Sequence, residues 1–410
     1  MDFKFSPEEE AFRKEVAALL EKEVPAEYRE KRLTFFDMSA QHDWIKVHRR
    51  LAEKLGEKGW LSMHWPVEYG GRGVSPFYRL ILREELSRYH SPGYDSIGVG
   101  IIAPALLLKG SDEQKKRHLP GIASGKVIWC ETLSEPNHGS DLAAIEVFAK
   151  EEADCFVVNG QKIWTTNGHF ADWNALIART DRAANPNYRG LTFFLVDMKT
   201  PGITVNPIIN MAGHHELNEV FFEDVRIPRE NIVGGQNKGW YVVMSLLDYE
   251  RTTDTVYAIA GTYIEDLAEY ARENGLLNPV MENRLAQLRV DCEVARLLHY
   301  RVTWMQSQEM VPNYEAAMSK MFSFELHQRV SEFGMELARQ YSQLTEGSAH
   351  VPMFGRIPSC YLRSFGYSLE QGTSEIDRDV IAQRGLCLPR LREQFIGGLF
   401  WISVSMNNRK

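Results

Sequence analysis

The sequence predicts an α+β protein of several domains in the order helical, β, helical, and three observations carry that prediction. Apolar residues recur at helical spacing through roughly the first 125 positions, then with a period of two and frequent turn signals up to Gly235, then at helical spacing again. A chain of 410 residues exceeds what one hydrophobic core fills, so two or three substructures are expected. Neither an internal repeat nor a low-complexity stretch interrupts this order. The domains are therefore placed at 1–126 (helical), 127–236 (β) and 237–390 (a helical bundle), with a tail at 391–410.

The first helix is announced by Ser6-Pro7-Glu8-Glu9, a capping box with proline at the first helical position; Phe12, Val16, Leu19 and Leu20 follow at helical spacing. Further helical patterns cover Gln41 to Glu57, Pro76 to Ser87 and Gly100 to Lys109. The turn-rich stretch from Trp65 to Gly73 reads as a surface loop. In the β region, Asn159-Gly160 lies between Phe156–Val158 and Gln161–Trp164, the strongest short-range signal for a hairpin. Strands are also expected at Trp173–Arg179, Leu191–Asp197, Ile203–Pro207 and Glu219–Arg226, a spacing that implies a sandwich or barrel.

Asn237 and Gly239 punctuate the return to helix, and Val242, Val243, Leu246 and Leu247 give the new helix a core-facing stripe. Glu250 is then a carboxylate on, or at the edge of, a buried face, where desolvation would raise its pKa towards the range useful for proton abstraction. An exposed pair with Arg251 is the plainer alternative. Leu285, Leu288, Cys292, Ala295 and His299 make one later stripe, and Met318, Phe322, Leu326, Phe333 and Leu337 another, so long helices with short connections form a bundle.

A net charge of −8 without a Lys/Arg cluster argues against nucleic acid or an anionic membrane as the main partner. Five widely spaced cysteines without a C-x-x-C pair point to reduced thiols, a cytoplasmic setting and no metal framework. The N-terminus has neither a basic region nor an apolar run of the secretory type, and no apolar run approaches the roughly 18 to 20 residues that cross a bilayer. Phe395 to Met406 is too short to span and reads as an oligomer contact or a loose tail, with a lipid-surface anchor as the alternative.

Several motif matches fail on context. Gly98-Val99-Gly100-Ile101-Ile102-Ala103 has the form of a dinucleotide fingerprint but follows no strand and precedes Pro104. His214-His215 has no third ligand at useful spacing, so both read as surface imidazoles. Two segments of the β region carry more. Trp129 to Leu142, with Ser134-Glu135-Pro136 and Gly139-Ser140-Asp141, combines hydroxyls with a close-approach glycine suited to a polar planar ligand. Lys162 to Gly168 offers a large aromatic plate, Trp164, with the Thr166 hydroxyl two residues on; local turn bonding is the alternative for both.

Together with Trp65-Pro66-x-Glu68-Tyr69-Gly70-Gly71, Glu219-Val220-Phe221-Phe222-x-Asp224-Val225 and Gly372-Thr373-Ser374-Glu375-Ile376-x-Arg378, these segments are collinear with the acyl-CoA dehydrogenase family, which the chain resembles to about Arg390. The resemblance implies that the bundle has four helices and that FAD lies between the last two domains and a neighbouring subunit. It implies Leu133, Ser134, Trp164 and Thr166 around the isoalloxazine, and Gly139 and Ser140 near the flavin side chain and the pantetheine arm. Thr373 and Glu375 would stand on the adenosine side, and Tyr249, Arg251, Gly372 and Ser140 beside the substrate. The implied chemistry removes an α-proton from an acyl-CoA while the β-hydrogen leaves as hydride, with a backbone N–H polarising the thioester carbonyl, and electrons pass to an electron-transfer flavoprotein.

That chemistry requires a carboxylate base from the protein. One family position, directly before Gly372, holds Gln371, whose amide cannot accept the proton. The other, in the bundle helix before an arginine, holds Glu250, which becomes the favoured base, with Glu370 as runner-up. Gln371 would keep the polarising backbone N–H. Two departures stand out: the family's Arg-x-x-Phe-Gly pattern is missing between Ala271 and Leu285, and its Gln-x-x-Gly-Gly segment is reduced to Gln343-Leu344-Thr345-Glu346-Gly347. They resemble bacterial members with bulky or cyclic substrates, some of them α2β2 assemblies, and leave homo-tetramer or dimer and hetero-tetramer open. A partner chain completing another subunit's flavin site, and a flavin oxidase or monooxygenase on the same fold, are the alternative functions.

Overall fold

The computed structural model describes residues 4–31 and 44–247, the backbone of 248–250, and residues 255–389. The helical first domain contains α1 (Pro7–Glu23), α2 (Ala26–Lys31), α3 (Trp44–Glu57), α4 (Pro76–Arg88), α5 (Ala103–Lys109) and α6 (Asp112–Ala123). Ser6 and Glu9 close the expected capping box: the Glu9 N–H donates to Ser6 Oγ at 3.2 Å and the Ser6 N–H to Glu9 Oε2 at 2.8 Å. The surface loop at 65–73 is anchored more deeply than expected. Trp65 is buried in the core, and a Cβ on Gly71 would lie 1.9 Å from its carbonyl oxygen, so only glycine allows the chain to double back there.

The middle domain is an eight-stranded sheet of β1 (Trp129–Thr132), β2 (Phe148–Glu151), β3 (Cys155–Lys162), β4 (Trp173–Arg179), β5 (Leu191–Asp197), β6 (Ile203–Ile209), β7 (His215–Pro228) and β8 (Ile232–Val233). Its order is β6-β7-β3-β2-β4-β5-β8, with β1 pairing parallel to β4. Both faces of β4 are covered. Ala175 and Ile177 join the core shared with the first domain, while Leu176 and Ala178 join Phe156, Phe194 and Phe222 in the β domain's own core.

The expected hairpin at Asn159-Gly160 is wrong: β3 runs straight through it and pairs with β7 on both sides. The register shifts there because β7 carries an extra residue opposite Asn159, with Asp224 at φ 51°. Asn159 holds that bulge with both ends of its amide, accepting from the Asp224 N–H at 2.9 Å and donating to Asp224 Oδ1 at 3.0 Å. Gly160 is required for another reason than a turn, since a Cβ there would sit 2.8 Å from Val147 Cγ2. The short strands β1, β2 and β8 had no strong signal of their own.

The third domain begins with α7 (Gly239–Glu250), whose Val242, Val243 and Leu246 enter the core of the first domain. The bundle follows as α8 (Val256–Glu273), α9 (Pro279–Ser307), α10 (Tyr314–Ala338) and α11 (Arg356–Tyr367), then the short α12 (Ser374–Val380). Leu288, Cys292 and Ala295 of α9 pack against Leu326, Phe333 and Leu337 of α10, as their spacing predicts. The segment expected to mimic a dinucleotide fingerprint is a buried helical turn at Gly98–Ile102 leading into α5. Among the described residues, no helix is long and apolar enough to cross a membrane, and the tail at 391–410 lies outside them.

Candidate active site

A cavity of about 920 Å³ lies where the three domains meet. Its walls bring together Leu133, Ser134, Gly139, Ser140, Trp164, Thr166, Glu370, Gln371, Gly372 and Thr373 from segments up to 240 positions apart. Tyr249, Glu250 and Arg251 lie outside the residues whose side chains are described; the α7 backbone ends at Glu250. Glu375 does not line the cavity. It sits in the first turn of α12, whose N-cap is Thr373, with Thr373 Oγ1 accepting from the Ile376 N–H at 3.2 Å.

The wall from the β domain is built on Lys162. Its side chain is fully buried at the end of β3 and donates to the Leu133 carbonyl at 2.8 Å and to Glu135 Oε1 at 2.9 Å. Glu135 in turn accepts the backbone N–H of Glu146 at 2.6 Å and of Val147 at 2.9 Å. Burial pushes the Lys162 pKa down to about 8, with the Glu135 carboxylate opposing it. The result is a fixed peptide at 133–135, reinforced by the Ile163 N–H on Ser134 O at 3.0 Å.

Beyond Lys162 the chain turns across the cavity. Trp164 stands at φ 63° with its side chain half exposed, and Asn167 at φ 56°. Backbone bonds from Thr165 to Asn218 and from Asn167 to Glu216 lace this turn to β7. A tryptophan held in a left-handed backbone conformation and left uncovered on a concave wall is a platform for a flat ligand. The hydroxyls of Ser134, Ser140 and Thr166 have no hydrogen-bond partner among the described residues, and a Cβ on Gly139 would meet nothing within 4 Å. An aromatic plate, three available hydroxyls and open backbone fit a flavin ring and its side chain.

The bundle wall is organised by buried charge. Arg363 on α11 pairs with Glu216 of β7 at 2.6 Å and with Glu370 at 2.8 Å. Burial works against the Arg363 charge, but Glu370 and Glu216 outweigh it and raise its pKa. Burial also raises the Glu216 carboxyl, against the pull of Arg363. Lys320, paired with Asp377 at 3.0 Å, donates to the Gly372 carbonyl. Between these anchors Gln371 and Gly372 take φ 55° and 87°, so the loop before α12 is fixed from both sides. Sequence reasoning missed Lys162, Arg363 and Lys320; a charged residue inside an apolar stripe was the only available signal.

His214-His215 are not the two surface imidazoles expected. His214 is buried with Nε2 3.3 Å from Ser359 Oγ, and His215 stacks on His169 at 3.8 Å. No group of three or more His, Cys, Asp or Glu side chains among the described residues is arranged to hold a metal ion.

Burial keeps several histidines neutral: it pushes His48, His118 and His169 down to about 4 and His299 to about 3. Such groups bind fewer protons folded than unfolded, so their stabilising effect is complete above the unfolded value near 6.5 and is lost as pH falls towards 4. Asp95, raised by burial to about 6, runs the other way over the same window. Five histidines lowered by burial, His64 included, against the raised carboxyls of Asp95 and Glu216 predict that the thermal midpoint falls between about pH 7 and about pH 5, with a shallower fall in His299→Asn; differential scanning fluorimetry across that range checks it.

Comparison with known proteins accords with this geometry. The N-terminal, middle and C-terminal domains of acyl-CoA dehydrogenase match residues 6–126, 130–225 and 237–386. Acyl-CoA dehydrogenase IpdE1 of Mycolicibacterium smegmatis is 32% identical over 366 residues, covering 85% of this chain and 90% of that protein. Acyl-CoA dehydrogenase FadE26 of Mycobacterium tuberculosis is 29% identical, covering 95% and 99%. Among solved structures, the Tcur3481-Tcur3483 steroid ACAD superimposes with a TM-score of 0.85 at 29% identity over 95% of this chain and all of that one. The ChsE4-ChsE5 complex from Mycobacterium tuberculosis gives 0.84 at 28% identity, over 95% and 100%.

Proposed function

Because this chain belongs to the acyl-CoA dehydrogenase family, whose members are FAD-binding oxidoreductases of acyl-CoA thioesters, we propose that it introduces a double bond between Cα and Cβ of an acyl-CoA and passes the electrons to an electron-transfer flavoprotein. The observation that supports this reading is the convergence of Trp164, the available hydroxyls of Ser134 and Thr166, and the fixed loop at Gln371-Gly372 on one cavity. Bound FAD supplies the acceptor for the hydrogen that leaves Cβ with its electron pair. Trp164, Thr166 and the Leu133-Ser134 peptide hold the ring, and Gly139-Ser140 leave room for its side chain and the pantetheine arm. The Gln371 backbone N–H steadies the thioester oxygen as charge develops there. Glu250 takes the α-proton.

The acyl group is bulky or cyclic, in keeping with relatives described as steroid enzymes. A second reading, a chain that completes a partner's flavin site in a heteromer, is favoured by the missing Arg-x-x-Phe-Gly pattern between Ala271 and Leu285. The visible spectrum of the chain expressed alone, before and after anaerobic addition of saturated acyl-CoAs, separates the two. About one FAD per polypeptide, bleached by a member of the panel, is expected. Flavin-free chain would point to the partner role, and flavin that no acyl-CoA bleaches would count against the dehydrogenase reading.

A further inference from the structure

The side of the cavity formed by the first domain carries a polar group that the proposed chemistry does not use. His48 of α3 lines the cavity and is only 3% exposed, wedged beside the Trp44 ring at 4.8 Å. Its Nδ1 accepts the Gly93 N–H at 3.3 Å, which places the ring proton on Nε2. That contact is built in: Gly93 sits at φ 114°, where a Cβ would lie 2.7 Å from Leu51 Cβ, so the loop comes down on α3 only as glycine. Burial and the neighbouring Arg49 charge keep the ring neutral. Nε2 has no hydrogen-bond partner among the described residues.

The residue is buried, but Nε2 is not among the buried side-chain atoms that lack a partner, so this donor is open to the cavity, where a ligand or a water completes it. Tyr94, Ile97 and Ile101 line the same cavity, as do the β-domain segments proposed to hold the flavin. Building on the dehydrogenase reading above, we propose that His48 is a specificity-determining residue whose Nε2–H donates to an oxygen on the acyl moiety, a ring ketone or hydroxyl remote from the thioester. The substrate class is then an oxygenated alicyclic acyl-CoA rather than a pure hydrocarbon chain. A site built to hydrogen-bond one substituent discriminates against the analogue that lacks it, because its own polar group is left unpaired.

The test compares cyclohexylpropanoyl-CoA with its ring-keto isomers on the flavin-loaded protein. At least one keto isomer is expected to exceed the hydrocarbon by about tenfold in kcat/KM, and His48→Phe, which keeps the ring but removes the donor, is expected to bring that ratio close to one. A wild-type ratio near one for every isomer would overturn the proposal without recourse to any variant. So would a His48→Phe enzyme that loses activity equally on both kinds of substrate, the pattern of a contact to the CoA arm or a packing role. Failure of every acyl-CoA to bleach the flavin would instead be a failure of the dehydrogenase reading.

Discussion

Glu250→Gln is expected to lower kcat by about 10²–10⁴-fold while the protein keeps its FAD, the range spanned by loss of a positioned general base. The argument is one of elimination among carboxylates. Gln371 fills one of the two base positions that the resemblance implies, and its amide has no basic lone pair to offer. Its neighbour Glu370 is engaged by the Arg363 guanidinium at 2.8 Å, in a cluster that Glu216 completes. A carboxylate held by a buried arginine is fixed in place and would have to leave that pairing to reach a substrate proton. Glu370→Gln should therefore cost much less than Glu250→Gln. Steady-state turnover of both variants, with flavin counted from the absorption spectrum, decides the matter. A Glu250→Gln enzyme that turns over normally beside an inactive Glu370→Gln enzyme would move the base to the loop.

The second large effect is on stability and cofactor content together. Lys162→Met removes the only charge that faces the buried Glu135 carboxylate within hydrogen-bonding distance among the described residues, and strips the Leu133 carbonyl of its side-chain donor. Breaking a buried pair from one side typically costs about 3–5 kcal/mol, since the remaining charge stays desolvated. The two backbone N–H groups on Glu135 reduce this penalty without cancelling it. Because the same ammonium fixes the peptide at 133–135, FAD occupancy should fall along with the unfolding midpoint in urea. The double change Lys162→Met with Glu135→Gln should recover part of the stability and little of the flavin. Stability lost with full flavin retained would separate Lys162 from the cofactor wall.

Much of this was legible because the informative features are local. Periodicity placed β4 and β5 at their observed limits and the capping box at Ser6, since each depends only on neighbours in sequence. The two β-domain segments that line the cavity stood out too, as hydroxyl and glycine patterns around one tryptophan. What stayed hidden depends on partners far along the chain. Asn159-Gly160 carries the local chemistry of a hairpin, yet Asp224, 65 positions later, uses the asparagine to hold a bulge and Val147 needs the glycine's bare face. The Arg363 and Lys320 anchors are ordinary surface residues until β7 or α12 closes over them. Burial of His214 likewise follows from the approach of Ser359, 145 positions away.

The bulge in β7 has one more effect, on how this strand can change. Before it the inward residues are even-numbered, through Asn218, Val220 and Phe222; after it they are odd-numbered, Val225 and Ile227. The bulge absorbs the extra residue, so the inward numbers change from even to odd while Val220, Phe222, Val225 and Ile227 all face the same core. Deleting a single residue at 223 or 224 would remove the bulge and leave one unbroken alternation with Val225 and Ile227 still inward, whereas deleting both would swing them to solvent and draw Arg226 inward. A single deletion here should be tolerated and a double deletion should not.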